Sequence, residues 1–383
     1  MSAMPRTGQG GHTRVDYDPF AGGALQRVVP TTEPQREVWL AAKLDHDASL
    51  AYNESVSLRL RGTLDVERLR VALRSVVERH DALRASIGPD GESFCVLEPQ
   101  ALTVAFEDLS ALSPQARDAA VLARREQGVD TPFVLERGRL FRAELLRLQA
   151  DDHVLLMHAH HIVCDGWSWW VIVRELGALY RDASVSLPPA DSFAGYAVDM
   201  ATHPHGDACA DDERYWLSRF SGELPVLELP LDHPRPMHRT TASAREDRML
   251  DAALTSGLKK LGAGHGASLF ATLLNGFAAL MSRISGQERV VVGIPAAGQS
   301  VDGHEHLVGH CVNLLPLRFD LDHARSFADS LDAAQETLLD ALDHQRYTFG
   351  TLLKQLRVAR DPSRTPLISV LFNIDQALDP AKT

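Results

Sequence analysis

The sequence predicts an α/β fold, and three observations carry that expectation. An apolar run at 154–157 leads through a polar turn into residues 167–182, where the apolar side chains recur at helical spacing. Strand patterns recur on both sides of it: polar–apolar alternation at 54–61, a similar run at 141–148, and a continuous apolar stretch at 289–295. Between them lie segments with one apolar face, at 64–77, 252–262 and 267–284, which suit helices. With 383 residues, 45% hydrophobic and 23% charged, the chain has material for one large domain or two lobes.

The elements follow in order. Residues 1–29 are rich in Gly and polar groups and read as a flexible lead-in or linker. Thr32 is placed to cap a helix, with Pro34 in its first turn and Gln35 three residues on. The 54–61 strand ends at Gly62, and Leu64, Leu69, Leu73, Val76 and Val77 line one face of the next helix. Its end, Arg79-His80-Asp81-Ala82-Leu83-Arg84, leads into a strand, and its basic groups suit structural pairing with acids. Residues 111–130 form a charged helix, and 141–148 forms a strand antiparallel to 153–161. The Pro- and Ser-containing stretch 185–192 divides an N-terminal lobe, 30–185, from a C-terminal lobe, 186–383. Beyond it come an extended segment at 227–236, helices at 252–262, 267–284 and 327–342, and strands at 289–295, 308–318 and 368–374.

Composition excludes several classes of function. A net charge of −12, from 39 basic and 51 acidic residues, argues against nucleic acid as a bulk partner. Cys95, Cys164, Cys209 and Cys311 are scattered, as reduced thiols of a cytoplasmic protein are. No apolar run is long enough to span a membrane, and the N-terminus has no secretory apolar segment.

The chemistry concentrates between Met157 and Ser168. If the strand holds to His161, alternation puts His158 and His160 on one face and His161 on the other. Asp165-Gly166 then makes the turn, with glycine taking backbone angles that other residues avoid. A histidine at the rim of a rigid strand can hold or take a proton near neutral pH. Asp165 can orient the loop through backbone N–H groups or an arginine, and the Gly166 N–H can face a developing oxyanion. Buried lone histidines are more often structural, and His158 is read so. Three histidines in four residues also suit a metal site, but alternation splits them and no outlying ligand pair completes a set.

His160-His161-Ile162-Val163-Cys164-Asp165-Gly166 resembles the HHxxxDG signature of nonribosomal peptide synthetase condensation domains. Related acyltransferases, including chloramphenicol acetyltransferase, carry shorter forms of it. Further stretches resemble the family in the family's order. They are Thr32-x-x-Gln35-Arg36-x-x-Trp39, Arg79-His80-x-x-Leu83-Arg84, Phe193-Ala194-Gly195-Tyr196-Ala197, Glu213-Arg214-Tyr215-Trp216, the 308–318 strand with Asn313, His344-Gln345-x-x-x-Phe349, and Arg360-Asp361-x-Ser363-Arg364-x-Pro366-Leu367. There are departures. Gly195 stands where aspartate is usual, and Gln299 stands where many members place the arginine that pairs with the motif aspartate. Family members also run some tens of residues past the last of these elements, so the C-terminal lobe is expected to be cut short here.

The resemblance implies an α/β fold of two chloramphenicol acetyltransferase-like lobes, a V-shaped pseudo-dimer with a central tunnel that meets the HHxxxDG loop. It implies amide formation between a carrier-tethered acyl or peptidyl thioester donor and a carrier-tethered aminoacyl acceptor. In that scheme His161 positions the amine or accepts its proton, Asp165 braces the loop and His160 is a structural neighbour. The Gly166 N–H and Asn313 are candidate oxyanion or substrate contacts, and Trp167 and Ser168 candidate tunnel residues. No metal or cofactor is bound directly. Phosphopantetheine arms arrive on donor and acceptor carriers, expected as adjacent synthetase domains. Two other functions suit the fold: another acyl-thioester-dependent acyltransferase, and a non-catalytic module recruiting carriers or tailoring enzymes. The intact His160, His161, Asp165 and Gly166 favour catalysis, and heterocyclising relatives carry aspartate at the leading histidines.

Overall fold

A computed structural model describes residues 23–202, 207–300, 303–358 and 361–374. The first half runs β1 (Leu25–Pro30), α1 (Glu33–Leu44), α2 (His46–Leu50), β2 (Asn53–Arg61), α3 (Val66–Arg79), β3 (Ala85–Ile87), β4 (Ser93–Leu97), β5 (Val104–Asp108), α4 (Pro114–Asp130), β6 (Phe141–Gln149), β7 (Asp152–His160) and α5 (Gly166–Arg181). The second runs α6 (Phe193–Thr202), α7 (Asp207–Arg219), α8 (Ala252–Gly264), α9 (Leu269–Ser285), β8 (Arg289–Ala297), β9 (Val312–Asp320), α10 (Phe327–Asp343) and α11 (Phe349–Leu356).

Caps fix several of these starts. Thr32 accepts from the Gln35 N–H while the Gln35 side chain takes the Thr32 N–H, the reciprocal box the spacing implied. Asp65, Ser113, Asp165 and Ser268 cap α3, α4, α5 and α9 in the simpler one-way form. The charged helix expected at 111–130 therefore starts at Pro114, directly after its serine cap.

The central sheet has the order β2-β7-β6-β5, antiparallel except for β5 against β6. Its β7 is covered on both faces. Leu155, Met157 and Ala159 join the apolar cluster of α3 and α5, with Leu73, Val76 and Trp169. Val154 and Leu156 join the cluster under α4, with Val121. Two-sided burial explains why the run leading into the motif is continuously apolar rather than alternating. His158 continues the α4 side, its ring so close under Gly128 that a Cβ there would lie 2.1 Å from the imidazole.

The second half has its own core, in which β8 and β9 pack with α9, α10, α11 and Trp216. Three expectations are corrected. The lead-in to residue 29 ends earlier, because Leu25–Pro30 pairs with β4 in the sheet β1-β4-β3; residues 1–22 lie outside the described residues, as does Arg360 of the last family-like stretch. The strand expected at 368–374 reduces to one bridge, Leu371 to Gly293, because only there does its backbone meet β8. The division at 185 does not separate the cores. Phe193, Ala194 and Ala197 of α6 pack into the first half against Phe94, as do Leu307 and Cys311, and Val308 packs into the α3/α5 cluster.

Candidate active site

The motif loop is pinned from several directions. β7 ends at His160, one residue earlier than alternation to His161 required. The His160 N–H donates to the Leu140 carbonyl (3.0 Å) and the His161 N–H to the Tyr52 carbonyl (2.8 Å). Gln35, fully buried, donates through Nε2 to the Ile162 carbonyl (2.8 Å). The capping box of α1 and the motif loop are thus joined by one side chain.

The two motif histidines differ sharply. His160 is buried, and its Nδ1 accepts from the Ile162 N–H (3.2 Å). Burial, aided by the neighbouring His161, pulls its imidazole down to about 3, so it is a neutral structural acceptor. His158 is likewise lowered, to about 4, by burial and by Arg142. His161 is a quarter exposed, with 27% of its side chain accessible. Its Nδ1 lies 2.8 Å from the Cys164 carbonyl, which can only accept, so Nδ1 carries the proton and Nε2 keeps its lone pair. Nε2 makes no hydrogen bond to the described residues.

Two residues beside His161 were not foreseen. Glu54 places Oε1 3.4 Å from Nδ1, and its Oε2 accepts from Trp169 Nε1 (2.7 Å). The register shows why: Glu54 pairs with Ala159, two residues before His161, so both side chains meet on the α5 side of the sheet. His310 stands edge-on to the His161 ring at 4.7 Å, and burial pushes its imidazole well below the ordinary range.

Asp165 is fully buried and accepts four hydrogen bonds. Oδ1 takes the Ser168 N–H (2.9 Å) and hydroxyl (2.7 Å); Oδ2 takes Gln299 Nε2 (2.8 Å) and the Cys311 N–H (3.1 Å). The expected arginine is therefore replaced in place, not lost: the amide of Gln299 occupies the partner position. A neutral amide neutralises no charge, and the α5 N-terminus and the other N–H dipoles share that task. Ser168 does not line a tunnel as expected. It is buried, bonded to Asp165, and accepts the Gly309 N–H at 3.0 Å. Gly309 is obligatory for close approach, since a Cβ would lie 1.9 Å from the Phe193 ring.

Gly166 also differs from the expectation. It is the first helical residue of α5, is not among the left-handed glycines, and an added Cβ would meet nothing within 4 Å. The glycine supplies open space and an N-terminal N–H rather than a special backbone angle. Trp167 sits at the rim, 6.0 Å from the Trp170 ring, with Nε1 donating to the Glu305 carbonyl (3.4 Å). Asn313 is not free to hold substrate. Nδ2 donates to the Gln345 (2.8 Å) and Tyr347 (2.9 Å) carbonyls, and Oδ1 accepts from Leu314 (2.9 Å) and Phe349 (3.0 Å) N–H groups. It braces the 345–349 turn.

The Arg79–Arg84 element is structural. Arg79 and His80 both bond Glu175 of α5, and Asp81 caps α6 through the Phe193 and Ala194 N–H groups. A cavity of about 330 Å³ lined by Gln26, Arg27, Arg79 and Arg84 lies there, apart from the motif, and Arg79 and Arg84 are already committed to Glu175 and the Leu97 carbonyl. Among the described residues no group of His, Cys, Asp or Glu is arranged to hold a metal ion, and no single helix is long and apolar enough to cross a membrane.

Solved structures share this architecture. The condensation domain from monacolin K polyketide synthase superposes with a TM-score of 0.80 at 22% identity, over 92% of this chain and 82% of that one, which speaks for the fold. The X-domain from teicoplanin biosynthesis gives 0.75 at 27% identity, over 91% and 78%, and a related structure holds that X-domain in complex with OxyB. The class is the mixed α/β fold of condensation domains. A condensation-domain family model matches residues 25–381, and the chain belongs to the condensation-domain family. Such domains are amide-forming acyltransferases that work within multidomain synthetases on phosphopantetheine-bound substrates. The chain is 34% identical over 367 residues to a plipastatin synthase of Bacillus subtilis (strain 168), covering 94% of this chain and 14% of that one. It is 36% identical to a linear gramicidin synthase of Brevibacillus parabrevis, covering 94% and 7%.

Proposed function

We propose that this chain joins a carrier-bound acyl or peptidyl thioester to a carrier-bound aminoacyl group, with His161 as the group that positions the acceptor amine and takes its proton. The observation that carries this is the His161 geometry: Nδ1 locked to the Cys164 carbonyl, Nε2 unengaged, at a partly exposed rim. Tethering both substrates lowers the entropic cost of meeting. Proton acceptance adds about 10²–10⁴-fold. Asp165 holds the loop, His160 stays neutral behind it, and Gly166 opens α5 with space beside its Cα, which makes its N–H the candidate to meet an oxyanion. Asn313 and Ser168 act on the site through backbone they hold, and Trp167 borders it. The partners are donor and acceptor carrier domains, on neighbouring parts of a larger synthetase in the cytoplasm.

The test is intact-mass spectrometry of acceptor carriers after mixing with acyl-loaded donor carriers. Wild type adds the acyl mass to the acceptor, and His161→Ala lowers the rate at least a hundredfold. Undiminished transfer by His161→Ala removes the histidine from the chemistry. A second reading, a module that binds another protein, has the likeness to the OxyB-binding X-domain in its favour. It is supported instead if carriers bind but no panel of loaded pairs reacts.

A further inference from the structure

His161 is supported from behind by a carboxylate that belongs to neither the motif nor its loop. Glu54 lies on the partner strand β2, with Oε1 3.4 Å from the His161 Nδ1 and Oε2 fixed by the Trp169 indole N–H at 2.7 Å. Trp169 is itself buried in the α5 core, so the carboxylate is held from the helix that starts at the motif. We propose that Glu54 is a positioning residue for the reaction: its carboxylate orients the His161 ring and balances the charge that develops when Nε2 takes the amine proton. This rests on the reading of His161 as proton acceptor. In that step the amine electron pair forms the C–N bond, the C–S bond breaks, and the amine proton passes through Nε2 to the departing thiolate. The ring is cationic only in between, and a carboxylate beside Nδ1 favours that cation over the neutral ring on both sides of it.

The other groups around the ring do not supply this charge. His160, at the end of β7, and His310, in the segment before β9, are both held neutral by burial. The Cys164 thiol is pushed well above its ordinary range by burial, so it stays protonated, and burial raises the Tyr52 hydroxyl too. Asp165 has its oxygens occupied by Ser168, Gln299 and Cys311. Glu54 is the carboxyl side chain within ion-pair distance of His161 among the described residues.

The test needs no substrate. Diethylpyrocarbonate acylates imidazole only in its neutral form, and peptide mass spectrometry reads the labelling rate at His161 at a fixed pH. Glu54→Gln keeps the shape and the acceptor for Trp169 but loses the charge. It is expected to be labelled faster than wild type, because the cation loses its partner. Glu54→Asp is expected between the two. Should Glu54→Gln fail to fold, Glu54→Asp and Trp169→Phe carry the test, each raising the rate less. A labelling rate in the variants that coincides with wild type overturns the proposal. With loaded carriers, Glu54→Gln is expected to cut the maximal rate about tenfold with acceptor saturation unchanged, and Glu54→Asp to recover part of it. A full rate in Glu54→Gln also overturns the proposal. If His161→Ala condenses normally, the reading of His161 fails, while the labelling rate still decides whether Glu54 holds the ring charge.

Discussion

Two buried carboxylates anchor the same helix by opposite means. Asp165 caps the start of α5 and is held entirely by neutral N–H and O–H donors, two of them from the second half of the chain. Glu175, in the third turn, is held by Arg79 (3.0 Å) and His80 (2.9 Å), which come from the end of α3 in the first half. Burial alone would raise the Glu175 carboxyl, yet its hydrogen bonds from His80 and Arg79 bring it below the ordinary range. The contrast teaches which task each performs. Glu175 fastens one helix to another within a half by charge. Asp165 fastens the motif loop to the other half without bringing a second charge beside His161.

That contrast can be broken most severely at Asp165. Asp165→Ala removes a helix cap and leaves buried donors on Ser168, Gln299 and Cys311 unmet, so a loss of about 4 kcal/mol is expected in urea unfolding. A loss under about 1 kcal/mol would mean water replaces the carboxylate and the brace is not structural. Glu175→Gln comes next, at about 2–3 kcal/mol, because Arg79 retains some solvent. The pH dependence separates the two sites further. The folded Glu175 carboxyl is depressed, so its contribution is fully present above the unfolded value near 4.3 and is lost as pH falls through the lower folded value. Wild type should therefore lose stability on acidification through that window, and Glu175→Gln should lose less. Identical acid slopes would remove Glu175 from that effect. The smallest change is Gln299→Ala, which deletes one neutral bond to Asp165 and is expected to cost about 1–2 kcal/mol in the same unfolding measurement. A cost as large as that of Asp165→Ala would show that Gln299 carries the brace alone.

Much of this organisation could be read from the sequence, because it is encoded locally. The Thr32–Gln35 box, the aspartate opening α5 and the apolar run into the motif depend on residues a few positions apart. What escaped depends on register and long-range pairing. Glu54 reads as an ordinary polar position in an alternating strand until β2 is set against β7. His310 and Gln299 come to the motif through segments far along the chain. The short β1 was hidden because six residues give little periodicity, and the 368–374 run had strand composition but only one bridging contact. Ser168 and Asn313 were expected to face substrate, but sequence could not show that their polar atoms are already spent on their neighbours.

The Asp165 clasp also has a consequence for timing. Its partners Gln299 and Cys311 lie 134 and 146 residues downstream. As the chain emerges from a ribosome, both histidines are present long before the groups that shape their loop. At synthesis rates of about 5–20 residues per second that interval is roughly 7–30 s. For that period a nascent chain carries the motif without the assembled loop, which takes its final shape only once the second half has docked.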